Sequence, residues 1–308
     1  MSFCIFDAHA DTISEILDKN EDILKNNCHI DLTRIKMLKR PYIQVFAAFT
    51  ERIENPSLRV LKIIDKYYEF VNRNDLIHCE NFSDIERGIK SDKILSFLSI
   101  EGGDALLGSL EMLRIYYRLG VRIITLTWNY SNEIASGIMD KNDTGLTCFG
   151  RAVVEEMNKL GMIIDVSHLS EKSFWDVAES SSMPFIASHS NARSICRHHR
   201  NLTDEQIKKI ISKNGVIGLN FYAEFLSNDE KCSISDIIRH LEHILSLGGE
   251  NSIGFGSDFD GMKKLPAGVL GVESYNNIIN ELLKLGYSED LIRKICCDNF
   301  LRVVKEVL

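Results

Sequence analysis

The sequence predicts an α/β protein built as a (β/α)8 TIM barrel. Three observations predict it: eight short apolar or β-branched runs, helix-period segments between them, and polar side chains gathered where the runs end. The runs span residues 3–9, 42–49, 94–101, 122–129, 162–168, 184–190, 215–221 and 252–259. Their near-continuous apolar character suits a parallel sheet buried on both faces. Eight strands alternating with helices over roughly 250 residues or more match the closed barrel. A doubly wound open sheet would want a Gly-rich phosphate turn after its first strand, whereas here that strand runs into "HADT". One domain, residues 1–308, is expected.

The first run, within "FCIFDAHADT", sets Asp7, His9 and Asp11 at alternate positions, so the three share one face of an extended chain. Isolated charges on a buried face are expensive, which leaves a solvated edge or a metal as the explanation. The run "YIQVFAAF" (42–49) is followed by the helix-period segment 57–73, and "ILSFLSIE" (94–101) ends on Glu101. Run 122–129 ends in "TLTWN", and the helix expected over 150–161 stops at Gly161. Run 162–168 ends on His168, and 184–190 carries His189 and leads toward "RHHR" at 197–200. Thr203 and Gln206 form a capping-box signature opening a helix over 203–215, and another helix is expected over 233–249, with Gly215 and Gly248 as stops. The last run contains Asp258, and "FLRVVKEVL" reads as the end of an amphipathic helix.

A hydrophobic content of 44% with 26% charged residues is ordinary for a soluble globule, and 308 residues can bury a sizeable core. The net charge of -8 argues against a nucleic-acid partner, since phosphate binding needs a basic face and only "RHHR" is clustered. Eight cysteines, scattered except for Cys296 and Cys297 and without a Cys-x-x-Cys pair, read as reduced thiols. No basic stretch followed by an apolar one opens the chain, and no segment approaches 18 apolar residues. A cytoplasmic protein with no membrane partner is therefore expected.

In a barrel the chemistry sits at the C-terminal ends of the strands. His9, Asp11, Glu101, His168, His189 and Asp258 all fall there, and all are metal-ligand types. Imidazole and carboxylate together suit Zn or Mn, and five or six such groups exceed what one tetrahedral ion needs. Two metals sharing a bridging carboxylate follow. Each residue has a bland alternative: His-x-Asp arises by chance, a strand-end His is more often a hydrogen-bonded core residue, and Asp258 could cap a loop. The same chemistry at five strand ends of one barrel outweighs those alternatives.

The stretches "FDAHADT", "SIEGGDAL", "IIDVSHLS", "IASHSNARSI" with "RHHRN", and "GFGSDFDG" resemble the successive motifs of the membrane (renal) dipeptidase family, zinc peptidases of the amidohydrolase-like barrel superfamily. They occur in the family order and span residues 6 to 261. The resemblance implies two Zn2+ per chain, one held by His9 and Asp11, the other by His168 and His189, with Glu101 bridging both and belonging to the catalytic set. It further implies that Asp258 handles protons and that Arg200 grips the substrate carboxylate, a role that a guanidinium performs bidentately. Asp7, one pleat deeper than His9, is expected to orient a ligand, and His198 and His199 are expected to be structural.

One position departs from the pattern. Familiar members carry a histidine in a "TLTH" context after the fourth strand, where this chain has Trp128. Asn129 or Asn132 is the candidate replacement donor, and Trp128, Asn129 and Tyr222 complete the expected substrate-binding set with Arg200. The implied activity is hydrolysis of dipeptides with a free C-terminal carboxylate, with tolerance of a C-terminal D-residue. The alternatives are a related amidohydrolase acting on another amide or a lactam, and a non-catalytic metal-binding protein, against which an intact Asp258 speaks. The expected partner is a small dipeptide, with room for a homodimer.

Overall fold

The computed structural model describes residues 3–73, 75–91, 93–229 and 231–308. Its strands are β1 (Ile5–Ala10), β2 (Tyr42–Phe49), β3 (Leu76–His78), β4 (Ile94–Glu101), β5 (Val121–Thr125), β6 (Ile163–Asp165), β7 (Ile186–Ala187), β8 (Val216–Leu219) and β9 (Ile253–Phe255). All pairings between them are parallel, in the order β2-β1-β9-β8-β7-β6-β5-β4-β3. β2 also pairs with β4, from Ile43↔Leu95 to Phe49↔Glu101, and this closes an eight-stranded barrel. The predicted fold class is the one observed. β3 is the strand outside the predicted set. It lies against the first residues of β4, on the edge that β5 occupies farther along, and three residues carry no periodicity to detect.

The strands are apolar because they are buried on both faces: every residue of β1 and of β4 is buried. Helices cover the outside. Helix Pro56–Asn72 starts with Pro at its first position and buries Val60, Ile63, Ile64 and Tyr67, the i, i+3, i+4, i+7 stripe. Helix Cys148–Leu160 ends at Gly161 with φ of 68°, a left-handed stop that costs glycine little. Thr203 Oγ1 accepts from the Gln206 N–H and Gln206 Oε1 accepts from the Thr203 N–H, the expected capping box, although this helix ends at Ser212 rather than 215. The final helix, Asn299–Val307, buries Phe300, Val303, Val304 and Val307, and Phe300 stacks on Phe6 of the outer face of β1 at 5.1 Å.

The barrel strands stop earlier than their apolar runs. β6 ends at Asp165, β7 has two residues and β9 ends at Phe255. Beyond those points the backbone N–H groups leave the ladder for buried carboxylates. Ser167 and Ser188 donate to Asp165 Oδ1 at 3.0 and 2.8 Å, and Ser257 donates to Asp7 Oδ1 at 2.9 Å. His168 and Asp258 then adopt φ of 69° and 63°, which no strand accommodates. All eight cysteines are free, and no described helix is long and apolar enough to cross a membrane.

Candidate metal centre and substrate cavity

His9 on β1, Glu101 at the end of β4, and Asp11, His168 and His189 just past β1, β6 and β7 converge at the C-terminal mouth of the barrel, all buried. Glu101 lies between two groups. Its Oε2 is 3.3 Å from His9 Nε2, which is itself 3.6 Å from Asp11 Oδ2. Its Oε1 is 3.0 Å from His168 Nε2 and 3.5 Å from His189 Nε2. Each carboxylate oxygen thus faces one pair of nitrogen or oxygen donors, the geometry of a bridging ligand. Two groups of three residues result, and hydrogen bonding does not account for the one on the His9 side, because His9 Nε2 and Asp11 Oδ1 are buried with no hydrogen-bond partner.

The orientation of the rings points the same way. His168 Nδ1 sits 2.9 Å from Asn129 Oδ1, an atom that only accepts, so the proton resides on Nδ1 and the Nε2 lone pair faces inward. His168 Nε2 and His189 Nε2 are 2.9 Å apart. A cation that accepts both lone pairs relieves that approach, and imidazole with carboxylate is a donor set suited to zinc. The residues present therefore fit the implied metals.

Electrostatics set the protonation pattern of these groups. Burial drives His189 well below the usual histidine range and His168 down to about 4, with the positive charges of His9 and Arg200 adding to the effect at His189 and of Arg200 at His168. Burial also opposes a charged His9, yet the facing Glu101 and Asp11 carboxylates overcome it and hold His9 well above its ordinary value. Glu101 is pushed up by burial but pulled well below the carboxylate range by His9 and His168. Asp11 rises to about 8, through burial and the Glu101 charge.

The centre opens into a cavity of about 510 Å³ whose wall includes Asp11, Glu101, Trp128, Asn129, His168, Arg200, Tyr222 and Asp258. Asp258 is held by Asn220 Nδ2, which donates to its Oδ2 at 2.9 Å, and burial with the Glu101 charge raises its carboxyl to about 6. Arg200 is 6% exposed. Its Nε has no partner, and its Nη2 makes a long 3.4 Å contact to the His189 carbonyl while its guanidinium lies 5.6 Å from the Phe225 ring centroid. No described carboxylate forms an ion pair with it, and burial lowers its pKa.

Several expected residues have more specific surroundings than the sequence indicated. Asn129 lines the cavity, but its side-chain oxygen is engaged by His168. Asn132 does not reach the cavity: its amide donates to the Leu126 carbonyl and Asp104, and its oxygen accepts from Ile134. Trp128 packs edge-on against Phe49 at 5.3 Å and, with Glu51, lines both the main cavity and a second one of about 400 Å³. Tyr222 packs on Phe225 at 4.8 Å. His198 and His199, expected to be structural, both line the cavity, with ring centroids 4.1 Å apart and the planes tilted by 31°. Asp7 accepts from the backbone and hydroxyl of Ser257, from the backbone N–H of His9 and, at 3.5 Å, from the Tyr42 hydroxyl, and among the described residues no hydrogen bond links it to a ligand side chain.

Sequence reasoning missed Asp165, Ser188, Ser257, Asn220 and His240. Asp165 and Asn220 end β6 and follow β8, so the strand-end signal that found the others applied to them too. His240 bridges the helix Ile234–Ser246 to the segment after His189, accepting from the Ala192 N–H at 3.1 Å and donating to the Leu226 carbonyl at 3.0 Å.

Known proteins carry the same architecture. The sequence model of the membrane dipeptidase family, peptidase family M19, matches residues 1–308. A metallopeptidase from Rhodobacter sphaeroides, solved liganded with a phosphinate mimic of the dipeptide L-Ala-D-Ala, superposes with a TM-score of 0.92 at 26% identity over 100% of both chains. A dipeptidase of family M19, dipeptidase AC, superposes with a TM-score of 0.91 at 28% identity over 100% of this chain and 99% of its own. An uncharacterized protein encoded in the pqqA 5′ region of Klebsiella pneumoniae is 38% identical over 240 residues, covering 74% of this chain and 88% of its own. The chain belongs to the membrane dipeptidase family, peptidase family M19, and is a metal-dependent hydrolase of the dipeptidase class.

Proposed function

We propose that the protein is a dinuclear zinc dipeptidase that hydrolyses dipeptides with a free C-terminal carboxylate and accepts a D-residue at that position. The observation that carries the substrate class is Arg200: a buried guanidinium without a carboxylate partner, on the wall of the cavity that Glu101, His168 and Asp258 also line. A buried charge is costly unless paired, and the free end of a short peptide is a partner that reaches it only when the scissile bond lies close by.

His9 and Asp11 would hold one ion, His168 and His189 the other, with Glu101 between them. Bound there, the ions would supply Lewis acidity for a scissile carbonyl and would lower the pKa of an attacking water. The remaining work belongs to the chain. Arg200 orients the substrate by its carboxylate. Asp258, with one oxygen fixed by Asn220 and its carboxyl raised to about 6, takes a proton from the attacking water and returns it to the leaving amine. Trp128 forms an apolar wall beside the substrate. Acceptance of a C-terminal D-residue is supported by the L-Ala-D-Ala mimic in the Rhodobacter sphaeroides metallopeptidase.

Zinc-loaded protein assayed against dipeptides of both chiralities, their C-terminal amides and a lactam tests this reading. Hydrolysis confined to free-carboxylate dipeptides is expected. Preference for the amides or the lactam would favour the broader amidohydrolase reading and remove Arg200 from its role.

A further inference from the structure

Asp165 lies beneath the centre and, by distance alone, counts as a third ligand, since one of its oxygens falls within 4.8 Å of donor atoms of His9 and His189. Its hydrogen bonds assign it elsewhere. Oδ1 accepts the backbone N–H of Ser167 at 3.0 Å and of Ser188 at 2.8 Å, while Oδ2 accepts the hydroxyls of Thr125 and Ser188, both at 2.6 Å. Four donors occupy the four lone-pair directions of a carboxylate and leave none for an ion.

Ser188 is the link. Its hydroxyl has one proton, and the 2.6 Å contact to Asp165 Oδ2 takes it in preference to the 3.4 Å approach of Ser167 Oγ. Ser188 Oγ can then only accept from His189 Nδ1, 2.7 Å away, which places the ring proton on Nδ1 and directs the bare Nε2 toward Glu101. The backbone of Ser188 is confined as well. A Cβ at Gly218 on β8 would lie 2.0 Å from the Ser188 carbonyl oxygen and one at Gly256, just past β9, only 1.6 Å, so both segments approach it this closely only because both positions are glycine. Nothing in this arrangement leaves the serine free to turn away.

We propose that Asp165 and Ser188 are positioning residues that fix the tautomer and direction of His189 through a carboxylate–hydroxyl–imidazole chain. A ligating imidazole commonly donates its second N–H to a carboxylate or carbonyl. Here a serine is interposed, which lets a carboxylate saturated by four donors still act on the ring. The same construction recurs across the barrel: Asp7 accepts the Ser257 N–H at 2.9 Å and its hydroxyl at 2.6 Å, and the residue after that serine is Asp258. In both cases a buried aspartate on one strand grips the serine that precedes a residue of the centre. Only at Ser188 does the hydroxyl also touch the ring, so only there is a tautomer at stake.

The inference rests on His189 being a metal ligand for its consequence, but not for its geometry, and the test separates the two. Metal-free protein carrying 15N-histidine, with His189 assigned from a His189→Gln variant, should show His189 as the neutral Nδ1–H form, and Ser188→Ala should shift it toward Nε2–H. Zinc affinity by chelator competition should fall about 10- to 100-fold in Ser188→Ala and in Asp165→Asn, and the double variant should be no weaker than the weaker single one. Thr125→Val removes a donor to the same Asp165 oxygen without touching His189. It should change zinc affinity by less than about threefold, well under the usual cost of losing a ligand's partner. An Nε2–H tautomer in the unaltered protein overturns the proposal, as does a Thr125→Val loss equal to that of Ser188→Ala. An additive double variant also overturns it, because the two residues would then act separately. Failure of zinc to bind the unaltered protein while the Nδ1–H tautomer depends on Ser188 would sink the metal reading and leave the chain standing.

Discussion

Arg200→Met tests the substrate reading most directly, because it should move two properties in opposite directions. The guanidinium is 6% exposed, has an unpartnered Nε and makes no ion pair among the described residues, so the substrate-free protein bears a buried charge without compensation. Replacing a buried charged group by an apolar side chain of similar length is often stabilising, by about 1–4 kcal/mol. Removing one partner of a buried charge pair instead costs about 2–5 kcal/mol of binding, which is roughly 30- to 5000-fold in kcat/KM for a substrate that supplies the carboxylate. Thermal unfolding without substrate should therefore shift upward while hydrolysis of dipeptides collapses and that of their C-terminal amides barely changes. The Phe225 ring, 5.6 Å from the guanidinium, can pack on the methionine. A variant that unfolds earlier and loses both substrates in the same proportion would show that Arg200 holds the loop and not the carboxylate.

Glu101→Gln should lower the affinity for both ions, because each Glu101 oxygen faces a different donor pair, whereas His168→Ala should strip one; metal analysis showing the same single-ion loss in both would mean Glu101 is not the bridge. Asp258→Asn should retain the metals and lose roughly 10²-fold or more in kcat, the usual worth of a placed acid–base group, and near-unaltered turnover would move that role elsewhere. Trp128→His should reshuffle side-chain preference with little mean gain across a dipeptide panel. A uniform rise of about 10²- to 10³-fold would instead reveal a missing oxyanion donor. His240, lowered to about 4 chiefly by burial, stays neutral in the fold while the unfolded chain takes up a proton near its ordinary 6.5. Its contribution is full above that value and is lost as pH falls toward about 4, amounting to about 3 kcal/mol. Urea unfolding of His240→Gln should show a shallower acid decline, and an unchanged slope would contradict the assignment.

The barrel was legible in the sequence because its evidence is local. Apolar runs and intervening helical periods report burial within a dozen residues, and a charged residue ending such a run is conspicuous against them. His9, Glu101, His168, His189 and Asp258 were found in that way, and the family motifs assigned their roles. Length and pairing were less legible: β3 is too short to show a period, and β6, β7 and β9 stop short of their apolar runs because Asp165 and Asp7 capture the backbone donors that would continue the ladders.

Tertiary structure decided what depends on residues far apart in the chain. Asp7 and Ser257 stand 250 positions apart, and no pattern in either segment announces their contact. Arg197 and Arg200 share the stretch "RHHR", yet the first is exposed and the second is buried on the cavity wall, a distinction set by the loop after β7 and not by composition. The division of Glu101 between two donor pairs and the occupation of Asp165 by four hydrogen bonds are likewise properties of converging strand ends. Residue types at strand ends follow from the sequence because each strand carries its own. The assignment of lone pairs among them does not, because a carboxylate or an imidazole becomes a ligand, a bridge or a support only through the partners that closing the barrel brings to it.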